Sequence, residues 1–425
     1  MNILVIGSGG REHAICWKLR QSRLVKDIFC SPGNAGTAVA ADNVVLDTAE
    51  HSAVIDLCRR NRIDLVIVGP EAPLAMGIAD DLAEAGIRVF GPKYEAARLE
   101  SSKIFAKEMM GGYSIPTAGF RVFEDFKKVE PYLDSAKFPL VVKAYGLAAG
   151  KGVAICSNSD EALAVSREML VERKFGSAGQ KIIIEEFLAG EEASILVVTD
   201  GKNIIPLVSS QDHKRVFDGD EGPNTGGMGA YSPAPVVDDR LLGVIMDTII
   251  EPTIKGLSRE GFLYRGVLYA GIMVTSEGPK VLEYNVRFGD PETQVILPRL
   301  KSDLAELAIA AAEGDISGIK LEWDASPCGG VVLASGGYPG EYEKGRAITG
   351  IEDAEKEGVL VFHAGTAMQN GKVVTDGGRV MVVSALGKDI KEAMANAYRG
   401  VKKIHFEGMH YRKDIGYRAI QRMKA

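Results

Sequence analysis

The sequence has little of what builds metal cages or covalent crosslinks. It holds 5 cysteines and 6 histidines in 425 residues, with no Cys-x-x-Cys and no His-x-x-x-His spacing. That scatter excludes a zinc ribbon and a disulfide framework, and it predicts reduced, mostly buried thiols in a cytoplasmic protein. Charge of one sign is also missing. Lys plus Arg number 50 against 57 Asp plus Glu, a net charge of −7, so a broad nucleic-acid-binding face is excluded while a local basic cleft is not. No apolar run is long enough to span a bilayer. Met1–Gly7 reads as a strand entering a glycine turn, without the basic region and apolar stretch of a signal peptide. Internal repeats, low-complexity tracts and a Ser or Cys nucleophile in a triad are lacking too. The expected partners are small molecules, with neither nucleic acid nor membrane, for a monomer or weak homo-oligomer.

What is present is an ordinary globular composition, 46% hydrophobic and 25% charged, in a chain long enough for roughly two to four domains. Strands at Ile3–Ile6, Asp27–Cys30, Leu65–Val68 and Arg88–Phe90 alternate with helices near 12–21, 49–60 and 74–85. The pattern predicts a doubly wound α/β domain over 1–101. A helix capped near Ser101 and stopped at Gly111-Gly112 opens a second region, 102–323. Within it, 117–188 forms a compact α+β stretch expected to act as a mobile lid. A long polar loop, Gln211–Pro235, and a helix over 238–259 follow. Residues 324–425 read as a mixed α+β domain.

Two glycine loops stand out. Gly7-Ser8-Gly9-Gly10-Arg11-Glu12 lies between a strand and a helix, where backbone N–H groups and the helix dipole can hold a phosphate. It departs from the dinucleotide fingerprint at Glu12, where a third glycine belongs. It also lacks an acid at the end of the second strand, so a sugar phosphate fits it better than a nicotinamide dinucleotide. Lys143-Ala144-Tyr145-Gly146-Leu147-Ala148-Ala149-Gly150-Lys151-Gly152 joins two strands, and no Ser or Thr follows Lys151, so it is not a Walker loop. Its glycines and lysines suit a flap closing over a triphosphate. Glu185-Glu186-Phe187-Leu188 ends a strand that can offer backbone groups to a purine edge, and an acid of the Glu191-Glu192 pair that follows can take ribose hydroxyls.

In Glu283-Tyr284-Asn285-Val286-Arg287, residues 283, 285 and 287 share one face of a strand. Glu283 and Asn285 are hard oxygen ligands suited to Mg²⁺ (or Mn²⁺) bridging phosphates, and Arg287 can neutralise a transferring phosphoryl group.

In this order the pieces resemble the ATP-grasp ligases, and several longer runs resemble the phosphoribosylamine–glycine ligase family. They are residues 7–13, 32–37, 68–73, 210–215, 222–229, 287–294 and 411–416. The resemblance extends over essentially the whole chain. It implies a doubly wound N-terminal domain, an ATP-grasp lid and body, and a small mixed C-terminal domain. It implies ATP and Mg²⁺ as cofactors, with glycine and 5-phosphoribosylamine joined through glycyl phosphate. The roles it implies are catalytic for Arg287, Lys143, Asp212 and Lys214. For ATP they fall on Lys103, Lys143, Gly150, Lys151, Gly152, Glu185, Glu186, Phe187, Leu188 and Glu192. For substrate they fall on Gly9, Gly10, Glu12, Asn34, Glu71, Asn224, Arg287 and Glu292, and for metal on Glu283 and Asn285. One position departs: Tyr145 stands where the family flap carries Asp. The rival expectations are a ligase for another carboxylate and amine, or a non-catalytic nucleotide-binding relative.

Overall fold

The computed structural model describes residues 1–146 and 152–423. Its first hundred residues form a five-stranded parallel sheet, in the order Asp42–Asn43, Asp27–Pro32, Asn2–Gly7, Leu65–Val68, Arg88–Phe90. The central strands are buried on both faces, which explains their unbroken apolar runs. The sequence reading places all of them except Asp42–Asn43, a two-residue edge strand with no apolar signal. The helix expected to be capped near Ser101 begins one residue later: Ser101 closes the helix Tyr94–Ser101, and the Ser102 hydroxyl accepts the Phe105 N–H at 3.2 Å to start Lys103–Gly112.

Two antiparallel four-stranded sheets follow. One orders Phe120–Phe123, Ile182–Glu186, Leu140–Ala144 and Val153–Cys156, and it packs on its own helix, Ser159–Leu170. Its core, built around Val142, Ile182, Ile184, Ala162 and Met169, is separate from the others. The second orders Ile204–Pro206, Glu191–Thr199, Gly266–Thr275 and Gly278–Asn285. Ile195 and Val197 of this sheet share one core with Leu4, Ile6, Val66 and Val68 of the N-terminal sheet. A parallel bridge between Thr117 and Val281 ties the chain entering the first of these sheets to the last strand of the second.

The polar stretch Gln211–Pro235, read as a loop, instead carries four short strands. Arg215–Phe217 and Glu221–Asn224 form a hairpin, and Gln211–Asp212 and Gly229–Ser232 enter the last sheet. That sheet runs Gln211–Asp212, Gly229–Ser232, Cys328–Ala334, Arg379–Leu386, Leu360–His363, so the C-terminal segment draws two strands from within 102–323. These strands are two to four residues long, the hairpin pairs only with itself, and Gly229–Ser232 finds its partner in Cys328–Val331, so local periodicity carries no trace of them. Among the described residues, no helix is long and apolar enough to cross a membrane.

Candidate active site

The helix that Ser102 caps presents Lys103 and Lys107 one turn apart on one face. Lys107 Nζ lies 3.2 Å from Glu185 Oε1 and donates to Thr117 Oγ1 at 2.8 Å. On the facing strand, Lys143 Nζ lies 2.8 Å from Glu185 Oε2 and donates to the Leu282 carbonyl at 3.3 Å. That carbonyl is available because the pairing slips there: Gly271 opposes Glu283, Ile272 opposes Val281, and Leu282 is skipped. Lys103 Nζ donates to the Gly146 carbonyl at 3.0 Å. Burial pulls Lys107 down to about 8 against the pull of Glu185, and it lowers Lys103 too, against the carboxylate of Glu283. Lys107 and Lys143 thus share one buried carboxylate, with Lys103 near enough to feel its charge. The Glu185 side chain is spent on this cluster, and the Glu186 N–H donates to the Gly119 carbonyl at 2.9 Å. Phe187 is exposed beside it, and Leu188 is buried with Ala118 and Met273. Of the flap, Gly150 and Lys151 lie outside the described residues, and the Gly152 carbonyl accepts from Ala144 N–H at 2.8 Å.

Glu283 and Asn285 stand at the end of their strand, and Arg287 lies just beyond it. Arg287 Nη2 donates to Asn285 Oδ1 at 2.9 Å and to Glu100 Oε1 at 2.7 Å, and its Nε lies 3.4 Å from Glu71 Oε2. Burial pushes the Glu283 carboxyl up, but Lys214, Lys143 and Lys103 outweigh it and hold the group ionised. For Glu71 burial is likewise outweighed, by Arg287 and Arg11. Glu100 differs: burial raises it to about 7 despite Arg287, with Glu71 adding to the rise. Among the described residues, no three His, Cys, Asp or Glu groups are placed to hold a metal by themselves. An ionised carboxylate beside an amide oxygen nevertheless fits Mg²⁺, which takes one or two protein oxygens and completes its shell with phosphate and water.

Beside Glu283 lies a third group. Lys214 Nζ is 3.6 Å from Glu283 Oε1 and 3.1 Å from Glu192 Oε2. Asp212 is raised to about 7 by burial, against Lys214 and with the charges of Glu292, Glu192 and Glu283. Glu292 is buried and accepts from Tyr269 Oη at 2.8 Å and Ser194 Oγ at 3.3 Å. Asn224 ends its short strand half-buried.

At the first glycine loop the structure changes the expected reading. Glu12 folds back so that Gly9 N–H donates to its Oε2 and Arg11 Nε to its Oε1, each at 2.5 Å. It fills the space that side chains at 7 and 69 would need: a Cβ at Gly7 would lie 2.5 Å from its Cγ, and one at Gly69 would overlap its Oε1. Asp290 Oδ2 accepts the Arg11 N–H at 3.3 Å. Two donors expected to cradle a phosphate are therefore taken by the chain's own acids. Asn34 is also turned inward. Its amide donates to the carbonyls of Ser8 at 2.8 Å and His363 at 2.9 Å, and its oxygen accepts from Gly36 and Thr37 N–H. Gly10 sits against Gln294, whose Nε2 would lie 2.7 Å from a Cβ there.

The sequence reading missed Lys107, Glu100, Asp290 and Arg379. Lys107 had a usable signal, its i+4 spacing from Lys103; the other three act through contacts far along the chain.

Family models match almost the whole chain: phosphoribosylglycinamide synthetase N domain over residues 1–100, its ATP-grasp (A) domain over 101–293 and its C domain over 328–418. The chain is 51% identical over 425 residues to a phosphoribosylamine–glycine ligase of Pseudomonas aeruginosa, covering 99% of each. It is 54% identical over 422 residues to the trifunctional purine biosynthetic protein adenosine-3 of Gallus gallus, covering 98% of this chain but only 42% of that longer protein. The crystal structure of the phosphoribosylamine–glycine ligase from Thermotoga maritima superposes with a TM-score of 0.86 at 36% identity, covering 98% of this chain and 100% of that one.

Proposed function

The chain belongs to the phosphoribosylglycinamide synthetase family of ATP-grasp enzymes, and on that premise we propose that it is the carbon–nitrogen ligase joining glycine to 5-phosphoribosylamine in purine biosynthesis, with ADP and phosphate as co-products. A glycine carboxylate oxygen attacks the γ-phosphorus of ATP and ADP leaves, giving glycyl phosphate. The amine of phosphoribosylamine then attacks the acyl carbon and expels phosphate.

The observation carrying this reading is the gathering of Lys103, Lys143 and Lys214 around the ionised Glu283, with Arg287 next to it. Phosphoryl transfer of this kind requires alignment and charge neutralisation more than covalent chemistry. Lys103 and Lys143 hold the triphosphate, and the strand end Glu185–Leu188 receives the base. Glu283 and Asn285 hold Mg²⁺ or Mn²⁺, which when bound neutralises phosphate charge. Arg287, kept in place by Glu71, Glu100 and Asn285, faces the transferred phosphoryl group or the glycine carboxylate. Asp212 and Lys214 line the acceptor side. The sheet built from 120–186, with its own core, serves as the lid that keeps water from the acyl phosphate, and Gly150, Lys151 and Gly152 belong to its flap. The enzyme works in the cytoplasm.

A coupled assay of ADP release tests the reading. ADP is expected in steady turnover only with glycine, phosphoribosylamine and Mg²⁺ together. Equal release without phosphoribosylamine, or none with the full mixture, overturns it.

A further inference from the structure

The C-terminal segment contributes one side chain that reaches both walls of the acceptor side. Arg379 begins the strand Arg379–Leu386, directly after Gly377-Gly378. A Cβ at Gly378 would overlap Cδ2 of Tyr338, so the glycine lets the strand start against that ring. From there Arg379 Nη1 donates to the Gly226 carbonyl at 2.7 Å and to the Asp290 carbonyl at 2.8 Å, and its Nη2 lies 3.3 Å from Asp290 Oδ1. Tyr338 Oη accepts the Gly226 N–H at 3.1 Å.

Each segment it grips carries a residue of the site. In the first, Thr225 N–H and Oγ1 both donate to the Lys214 carbonyl, at 2.7 and 2.8 Å, so fixing Gly226 fixes the backbone of Lys214. The second is the turn 287–292, which holds Arg287 and Glu292. Through its carboxylate, Asp290 also reaches Arg11 N–H at the first glycine loop. A planar guanidinium can serve two segments at once; an ammonium cannot reproduce that fork. None of the triphosphate-side groups, Lys103, Lys107, Lys143 or Glu185, touches this network.

We propose that Arg379 is a positioning residue for the phosphoribosylamine side of the site, clamping the Lys214 segment to the Arg287 turn from the C-terminal sheet. The inference rests on the ligase reading above. Its test is steady-state kinetics of Arg379→Lys and of Tyr338→Phe, which removes a single hydroxyl, with each substrate varied in turn. Arg379→Lys is expected to raise the KM for phosphoribosylamine at least tenfold and Tyr338→Phe about threefold. KM for ATP should stay within twofold of the parent in both. A phosphoribosylamine KM within twofold of the parent in Tyr338→Phe, and in Arg379→Lys if it folds, overturns the inference. So does an equal rise in the KM for ATP, which a general structural role would give. Failure of the parent chain to turn over strikes the ligase reading instead, because the inference concerns only differences between variants and an active parent.

Discussion

Replacing Glu185 by glutamine removes the carboxylate that contacts both Lys107 and Lys143 within salt-bridge distance, at 3.2 and 2.8 Å. All three side chains are almost fully buried, so the loss is not softened by solvent screening. The glutamine keeps the shape and one acceptor oxygen but no charge, leaving two ammonium groups facing each other across the same space. Breaking a buried pair by removing one partner costs about 3–5 kcal/mol, which over a chain of this length corresponds to a fall of roughly 3–6 °C in Tm. Lys107, already lowered to about 8 with Glu185 helping to keep it charged, moves further down. The double variant Glu185→Gln, Lys107→Met then has one cation fewer to leave unpaired, and it should recover at least half of the single variant's loss. Thermal melting by circular dichroism at pH 7 reads all four forms of the cycle. A Tm for Glu185→Gln within 1 °C of the parent, or a double variant whose loss equals the sum of the singles, refutes the reasoning.

Glu283→Gln should keep its fold and lose on the order of 10²–10⁴ in kcat, since a charged oxygen is removed where phosphoryl charge develops; near-normal turnover at ordinary Mg²⁺ counts against the assignment. Tyr145→Asp should change kcat/KM by less than about tenfold, or about 1.4 kcal/mol of barrier. Tyr145 works through its backbone, its N–H donating to the Lys181 carbonyl at 3.1 Å and its carbonyl accepting the Lys103 N–H at 3.3 Å. Lys143→Met should lose far more in the same kinetics, and a gain of a hundredfold or more in Tyr145→Asp would give the missing carboxylate a chemical role. The pH dependence of stability reports Glu100, whose folded pKa of about 7 lies above its unfolded value. Between about 4.3 and 7 the folded chain holds the extra proton, so this group's contribution falls as pH rises through that window, by about 4 kcal/mol in all. Glu100→Gln should reduce that slope in melts taken from pH 4.5 to 7.5, leaving the part due to Asp212, which is also raised to about 7; an unchanged slope would assign it to another group.

Long, strongly patterned elements were legible. The apolar strands Leu65–Val68 and Arg88–Phe90 lie where periodicity puts them, because their signal is local. Gly229–Ser232, inside 211–235, was not, since its partner Cys328–Val331 lies far along the chain. The same divide runs through the site. Glu283 and Asn285 share one strand end, where alternation alone brings them to one face, while Arg287, read as part of that strand, lies just beyond it. Glu12 was legible as a break in a glycine fingerprint, but not as a side chain folded back onto Gly9. Asp290, Glu100 and Arg379 acquire their roles from distant partners: 279 positions separate Arg11 from Asp290, 186 separate Glu100 from Val286, and 89 separate Asp290 from Arg379. No spacing rule covers such distances.

The central claim is that glycine's carboxylate is activated by direct attack on ATP. Turnover of glycine labelled with ¹⁸O in its carboxylate, with mass spectrometry of the inorganic phosphate, tests it most directly. One labelled oxygen per phosphate released is the predicted result; phosphate free of label, alongside normal product formation, would contradict it.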